Sequence, residues 1–252
     1  MVHSRRFDVL DALVKRISWE ECEGLDLALL LLNNLSIPYD NKIIMISGHC
    51  SLQLLDCLCR IFDKDIPERV LACICLVNLS LHELSAKSIL YHAPIQDWCP
   101  DLSLLYNPES FIKILERSLV LKFDSTPVEL SIEKESLRWA CSLAKNLCSC
   151  EENANLLSLS QIPSSLLTLL EKSVQLPSIW TVESVEDSAL RALCRFADWP
   201  ILKITLIEAN APDIISNFTG GQDIYDYKSH LILSSLTSKN IEEIWEHKYE
   251  EI

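Results

Sequence analysis

Apolar, small and polar positions recur along this chain in one repeated arrangement. Three segments share it: Ala28 to Leu35 with Asn34, Ala72 to Leu79 with Asn78, and Ala140 to Leu147 with Asn146. In each, an alanine stands six residues before an asparagine and a leucine stands one after it. Two more segments keep the arrangement with the asparagine replaced, from Ala189 through Arg195 to Phe196 and from Ser229 through Ser235 to Leu236. Counted from these anchors, the positions five, three and two before and one after fall on one stripe of an α-helix and form its expected buried face. The small residue six before lets two helices cross closely. The anchors lie 44, 68, 49 and 40 residues apart, and a period of roughly 40 to 47 residues marks stacked helical repeats.

Further helices fit between the anchored ones. Phe7 to Ile17 pairs directly with the first anchored segment, while Asn41 to Ser47 and Leu52 to Phe62 precede the second. Asn153 to Leu159 and Ser164 to Glu171 precede the fourth, and Ile201 to Ala209 and Pro212 to Phe218 precede the fifth. Each unit thus reads as three helices, the anchored one last. Pro67 opens the second anchored helix, as proline can in a first turn. The chain begins inside a unit, so its first repeat reads either as a terminal cap or as the remainder of a longer array. The 68-residue gap holds an insertion over about 91–107, where Pro94, Trp98, Pro100 and Tyr106 interrupt any regular helix. A surface loop pinned by Trp98 and a partner-contacting lid both suit it. Ile241 to Tyr249 reads as a polar capping helix over about 240–250.

Composition narrows the class. Leucine far exceeds valine, and with Gly 4 and Pro 10 the chain has too few turn residues for a loop-rich β fold. The formal charge of −14 repels phosphate backbones and anionic lipid surfaces, which argues against nucleic acid and membrane partners. Asp8 and Asp11 interrupt any signal-peptide core, and the apolar run Leu25 to Leu35 contains Asp26, Asn33 and Asn34. That run is also shorter than the roughly 20 residues a bilayer span needs. A soluble protein of the cytoplasm, with the nucleus also open, is expected. Most of the eleven cysteines, such as Cys57, Cys59, Cys73, Cys75, Cys141, Cys148 and Cys194, lie in apolar helical runs and read as reduced, buried thiols. Neighbours two apart on a helix diverge, so the Cys-x-Cys pairs are poor metal ligands. No metal and no cofactor is expected.

The anchored segments resemble the armadillo repeat, whose units have three helices and carry an Ala…Leu-x-Asn-Leu signature on the third. The resemblance covers most of the chain. It implies an all-α, right-handed armadillo-type solenoid of about five repeats, the first incomplete, forming a single domain over 1–252. It also implies that third helices line a concave groove in which the anchor amides hold an extended peptide. Asn34, Asn78 and Asn146 are the candidates for that role, since an amide offers both a donor and an acceptor to a peptide unit; an asparagine that simply ends its helix reads equally well. Nuclear-import receptors of this fold place tryptophan four before the asparagine, where this chain has Leu30, Ile74, Ser142, Arg191 and Leu231. Binding of basic import signals is therefore disfavoured. Trp139, seven before Asn146, lies on the same face as a groove aromatic or a filler between repeats.

Projecting the positions zero, four and seven before each anchor gives a face that turns from apolar to cationic. It starts with Leu27, Leu30 and Asn34 and reaches Arg191, Arg195 and Lys228. In an acidic chain this cationic end points to an acidic segment of a protein or peptide partner. No Gly-rich phosphate loop, Gly-x-Ser-x-Gly elbow or His-Glu-x-x-His motif is present, and the acidic pairs Glu20-Glu21 and Glu151-Glu152 sit at helix starts. The expected function is thus a non-enzymatic adaptor or scaffold, with groove residues Asn34, Asn78, Trp139, Asn146, Arg191, Arg195 and Lys228. The alternative is a structural subunit packing through its outer surface or its apolar first repeat. Sequence leaves the oligomeric state open.

Overall fold

The computed structural model describes residues 2–18, 23–48, 50–81, 86, 89–90, 108–120, 127–173, 185–219 and 224–237, all helical or in short turns. In chain order the helices are α1 (Val2–Ile17), α2 (Leu25–Ser36), α3 (Tyr39–Ser47), α4 (Ser51–Asp63) and α5 (Arg69–Ser80). Then come α6 (Pro108–Ser118), α7 (Pro127–Leu147), α8 (Glu151–Ser158) and α9 (Ile162–Ser173). The last are α10 (Val185–Phe196), α11 (Pro200–Glu208), α12 (Ala211–Ser216) and α13 (Ile224–Leu236). The expected insertion over 91–107 and capping helix over 240–250 lie outside the described residues.

The anchored helices stack side by side, α2 on α5, α5 on α7, α7 on α10 and α10 on α13. The second helices form a parallel row, α1 on α4, α4 on α6, α6 on α9 and α9 on α12. Helix α8 likewise meets α11, its counterpart in the next unit. This is an all-α solenoid in which each unit touches its neighbours. The small-residue position explains the close stacking: Ala28, Ala72, Ala140, Ala189 and Ser229 are all buried. The stripe positions are buried throughout α5, α7 and α10, as Cys73, Cys75, Leu76 and Leu79 show for α5. Departures fall at the two ends. In α2, Leu31 is 53% exposed, and no described third helix stacks beyond it.

The 68-residue gap has a second component besides the expected insertion. Helix α7 is 21 residues long where α2 and α5 have 12, so part of the extra chain lengthens a third helix at its N-terminal end. Pro67 lies just before α5, in a turn where its carbonyl accepts from the Val70 N–H at 3.2 Å. The turn into α12 passes through Asn210 at φ 60°, a left-handed conformation that asparagine tolerates better than most residues.

Helix ends leave carbonyls without partners, and here the next unit supplies donors. Asn41 Nδ2 donates to Leu35 O at 2.9 Å, and Lys42 Nζ donates to Ser36 O and, at 2.9 Å, to Ile37 O. At the corresponding place two repeats later, Asn153 Nδ2 donates to Leu147 O at 2.7 Å. Trp199 Nε1 donates to Cys148 O at 3.1 Å. Lys42 is 5% exposed, and burial pushes its ammonium below the ordinary lysine range.

Candidate functional site

The face projected from the sequence is the open side of the third-helix row. None of its positions is buried, from Leu27, Leu30 and Asn34 on α2 to Lys228, Leu231 and Ser235 on α13. It is apolar at the α2 end, where Leu27 and Leu30 are exposed, and carries cations from α10 onward.

The anchor residues do different things. Asn146 Nδ2 reaches back to α5, donating to Val77 O at 3.3 Å and Ser80 Oγ at 3.2 Å. Ser235, at the same register, donates to Ala197 O at 2.8 Å. These two anchors tie a third helix to the one before it. In the first unit the tie comes from Asn33, one residue before the anchor, whose Nδ2 donates to Leu71 O at 3.1 Å. Asn34 is exposed and Asn78 half-buried. Neither makes such a tie among the described residues.

Trp139, Ser142 and Arg191 come together. With Arg138, Lys145, Asp187 and Ser188 they line a pocket of about 70 Å³ between α7 and α10. The three cations of the sequence reading differ in availability. Arg191 is half exposed and its Nε lies 2.6 Å from Asp187 Oδ2. Arg195, also on the open side, pairs with Asp198 at 3.0 Å. Lys228 is the correction: its side chain is only 12% exposed and is ion-paired to the other oxygen of Asp187, so it clamps α13 to α10 instead of lining an open groove. Sequence reasoning missed Asp187, which reads as an ordinary acid in the first turn of α10. It also missed Lys145, one residue outside the projected face. Burial, and then the neighbouring Arg191 guanidinium, push the Lys145 ammonium below the ordinary lysine range. The signal that could have found it is its place one turn from Ser142 on the same helix, three residues on.

A larger cleft of about 190 Å³ lies where α4 and α6 end and α5 and α7 pass, lined by Asp63, Arg69, Arg117, Glu133 and Ser136 among others. Its charges cancel, two guanidiniums against two carboxylates. Arg117 binds Asp63 through two bonds of 2.7 and 3.2 Å. Among the described residues no three His, Cys, Asp or Glu side chains gather as a metal site would require. The nine described cysteines are free thiols, eight of them buried. No single described helix is long and apolar enough to cross a membrane.

No family model matches the sequence, and no curated protein does. Among solved structures, an engineered protein superposes with a TM-score of 0.66 at 16% identity, over 91% of this chain and 48% of its own. The fold is that of a helical repeat solenoid. This chain spans about half the length of that engineered protein. A second engineered protein aligns over 91% of this chain and 96% of its own, with a TM-score of 0.49 and 15% identity. A designed armadillo repeat protein aligns over 90% of this chain and all of its own, with a TM-score of 0.44 and 14% identity. At these identities the likeness concerns the fold alone.

Proposed function

We propose that this solenoid is a non-enzymatic protein-binding scaffold that holds an extended, acidic segment of a partner along the open side of its third helices. The observation that carries the reading is the α7–α10 pocket, where Trp139 stands beside Lys145 and Arg191 on the face left free by repeat stacking. The armadillo-like pattern of the sequence supports the same use, because that family binds extended peptides along this surface. A guanidinium such as Arg191 takes a carboxylate through two parallel bonds. Asn34 and Asn78 offer amides to the ligand backbone, and Leu27 and Leu30 offer an apolar end.

A fluorescein-labelled pool of degenerate peptides with glutamate fixed at alternate positions, read by anisotropy, tests this. The pool should bind, binding should weaken as salt rises, and the double reversal Arg191→Glu/Arg195→Glu should cost at least about 2 kcal/mol. Equal affinity for wild type and the reversal would place the interface elsewhere. The structural-subunit reading keeps one observation of its own: Leu27, Leu30, Leu31, Ile37, Tyr39 and Ile43 are all exposed around α2 and α3. Light scattering on the eluting protein separates the two, since a subunit of that kind would self-associate or require a partner to stay dispersed.

A further inference from the structure

Resting on the groove reading, we propose that the pocket between α7 and α10 takes a phosphomonoester, the phosphorylated serine or threonine of a bound segment, as its preferred anion. The first argument is a charge count. Lys145 and Arg191 line the pocket beside the one carboxylate of its lining, Asp187, which is 5% exposed and shared between Arg191 and, from outside the lining, Lys228. Arg138 at the rim is matched by Glu135 at 2.6 Å. Lys145 has no carboxylate partner among the described residues. Among the described residues, Lys145, Arg191 and Lys228 against Asp187 therefore leave an excess of two positive charges, which a single carboxylate leaves half unmatched. A phosphomonoester carries about −1.5 to −2 at pH 7 and matches it.

Size and lining give the second argument. At about 70 Å³ the pocket is far below the roughly 300 Å³ at which small-molecule sites begin, so it admits one compact head group. Two carboxylate side chains, the other way to supply two charges, do not fit together. Ser142 and Ser188 line it with hydroxyl donors for a third or fourth phosphate oxygen, and Trp139 gives the carbon stem an apolar wall. Burial next to Arg191 raises the cost of charging Lys145, and a bound dianion removes that cost.

The test uses the full chain and three degenerate peptide pools that differ only at a fixed central residue: phosphoserine, glutamate or serine. The phosphoserine pool should bind at least about tenfold tighter than the glutamate pool. Lys145→Ala, which breaks no ion pair among the described residues, should weaken the phosphoserine pool more than the glutamate pool and so remove most of that preference. Unchanged circular dichroism would show that the variant is folded. Equal affinity for the phosphoserine and glutamate pools overturns the phosphate assignment and leaves the groove reading standing. A phosphoserine preference that survives Lys145→Ala places the phosphate elsewhere and also overturns it. If none of the pools binds, both the assignment and the groove reading fail.

Discussion

At the residue scale, the thiols show how burial sets chemistry. Cys75, Cys141 and Cys148 lie in the helix crossings, and desolvation raises their pKa to about 12. Burial raises Cys73 as well, with Cys141 and Cys59 adding to it. A thiolate is the reactive form, so these side chains should alkylate slowly until the protein unfolds. The same shift links stability to pH. Each folded-state pKa lies above the unfolded value, so the stabilisation is complete below the ordinary cysteine range and is lost as pH rises from there towards about 12. Each buried thiol contributes a slope of about 1.4 kcal/mol per pH unit in that window. The urea midpoint should therefore fall between about pH 8 and about pH 10.5, and Cys73→Ala/Cys141→Ala should flatten the fall. Parallel declines in the two proteins would show that these thiols are not responsible.

At the element scale, the helix crossing is the unit that sequence describes best. The small residue six before each anchor is buried in all five third helices, a constraint written locally and repeated, hence legible. Replacing Ala140, fully buried where α7 meets α5 and α10, with leucine should overpack that crossing and cost about 1 to 3 kcal/mol. A urea midpoint equal to wild type would mean that α7 does not cross its neighbours in this register. The candidate site was legible only in part. Trp139, Ser142 and Arg191 share a face by simple periodicity, and they do line one pocket. Lys228 was misplaced because its partner Asp187 lies 41 residues earlier, and only the packing of α13 on α10 makes that pair. Asn146 turned inward for the same reason: its acceptors Val77 and Ser80 belong to the previous unit. Lys145 lies one turn from Ser142, but its neighbour Arg191 stands across the helix interface, and only the packing of α7 on α10 brings the two together.

At the scale of the whole molecule, stability in a solenoid is a sum over units and the interfaces between them. Helices α5, α7 and α10 are each flanked by third helices on both sides, whereas α2 and α13 each meet one among the described residues. Amide exchange should accordingly be slowest in α5, α7 and α10 and faster towards α2 and α13. Uniform protection from α2 to α13 would mean that the array unfolds as one cooperative block.

The donors that close one unit with side chains of the next give the molecule a direction in time as well as in space. Asn41 and Lys42 follow the carbonyls they satisfy by about six residues, as Asn153 follows Leu147, while Asn146 and Ser235 bond to helices that precede them in the chain. Asn33, reaching forward to Leu71, is the exception. On a ribosome, most acceptors at a repeat boundary are thus made before their donors. Each newly emerged stretch finishes the helix already outside the tunnel, and the boundary bonds of the growing chain are completed from its youngest end.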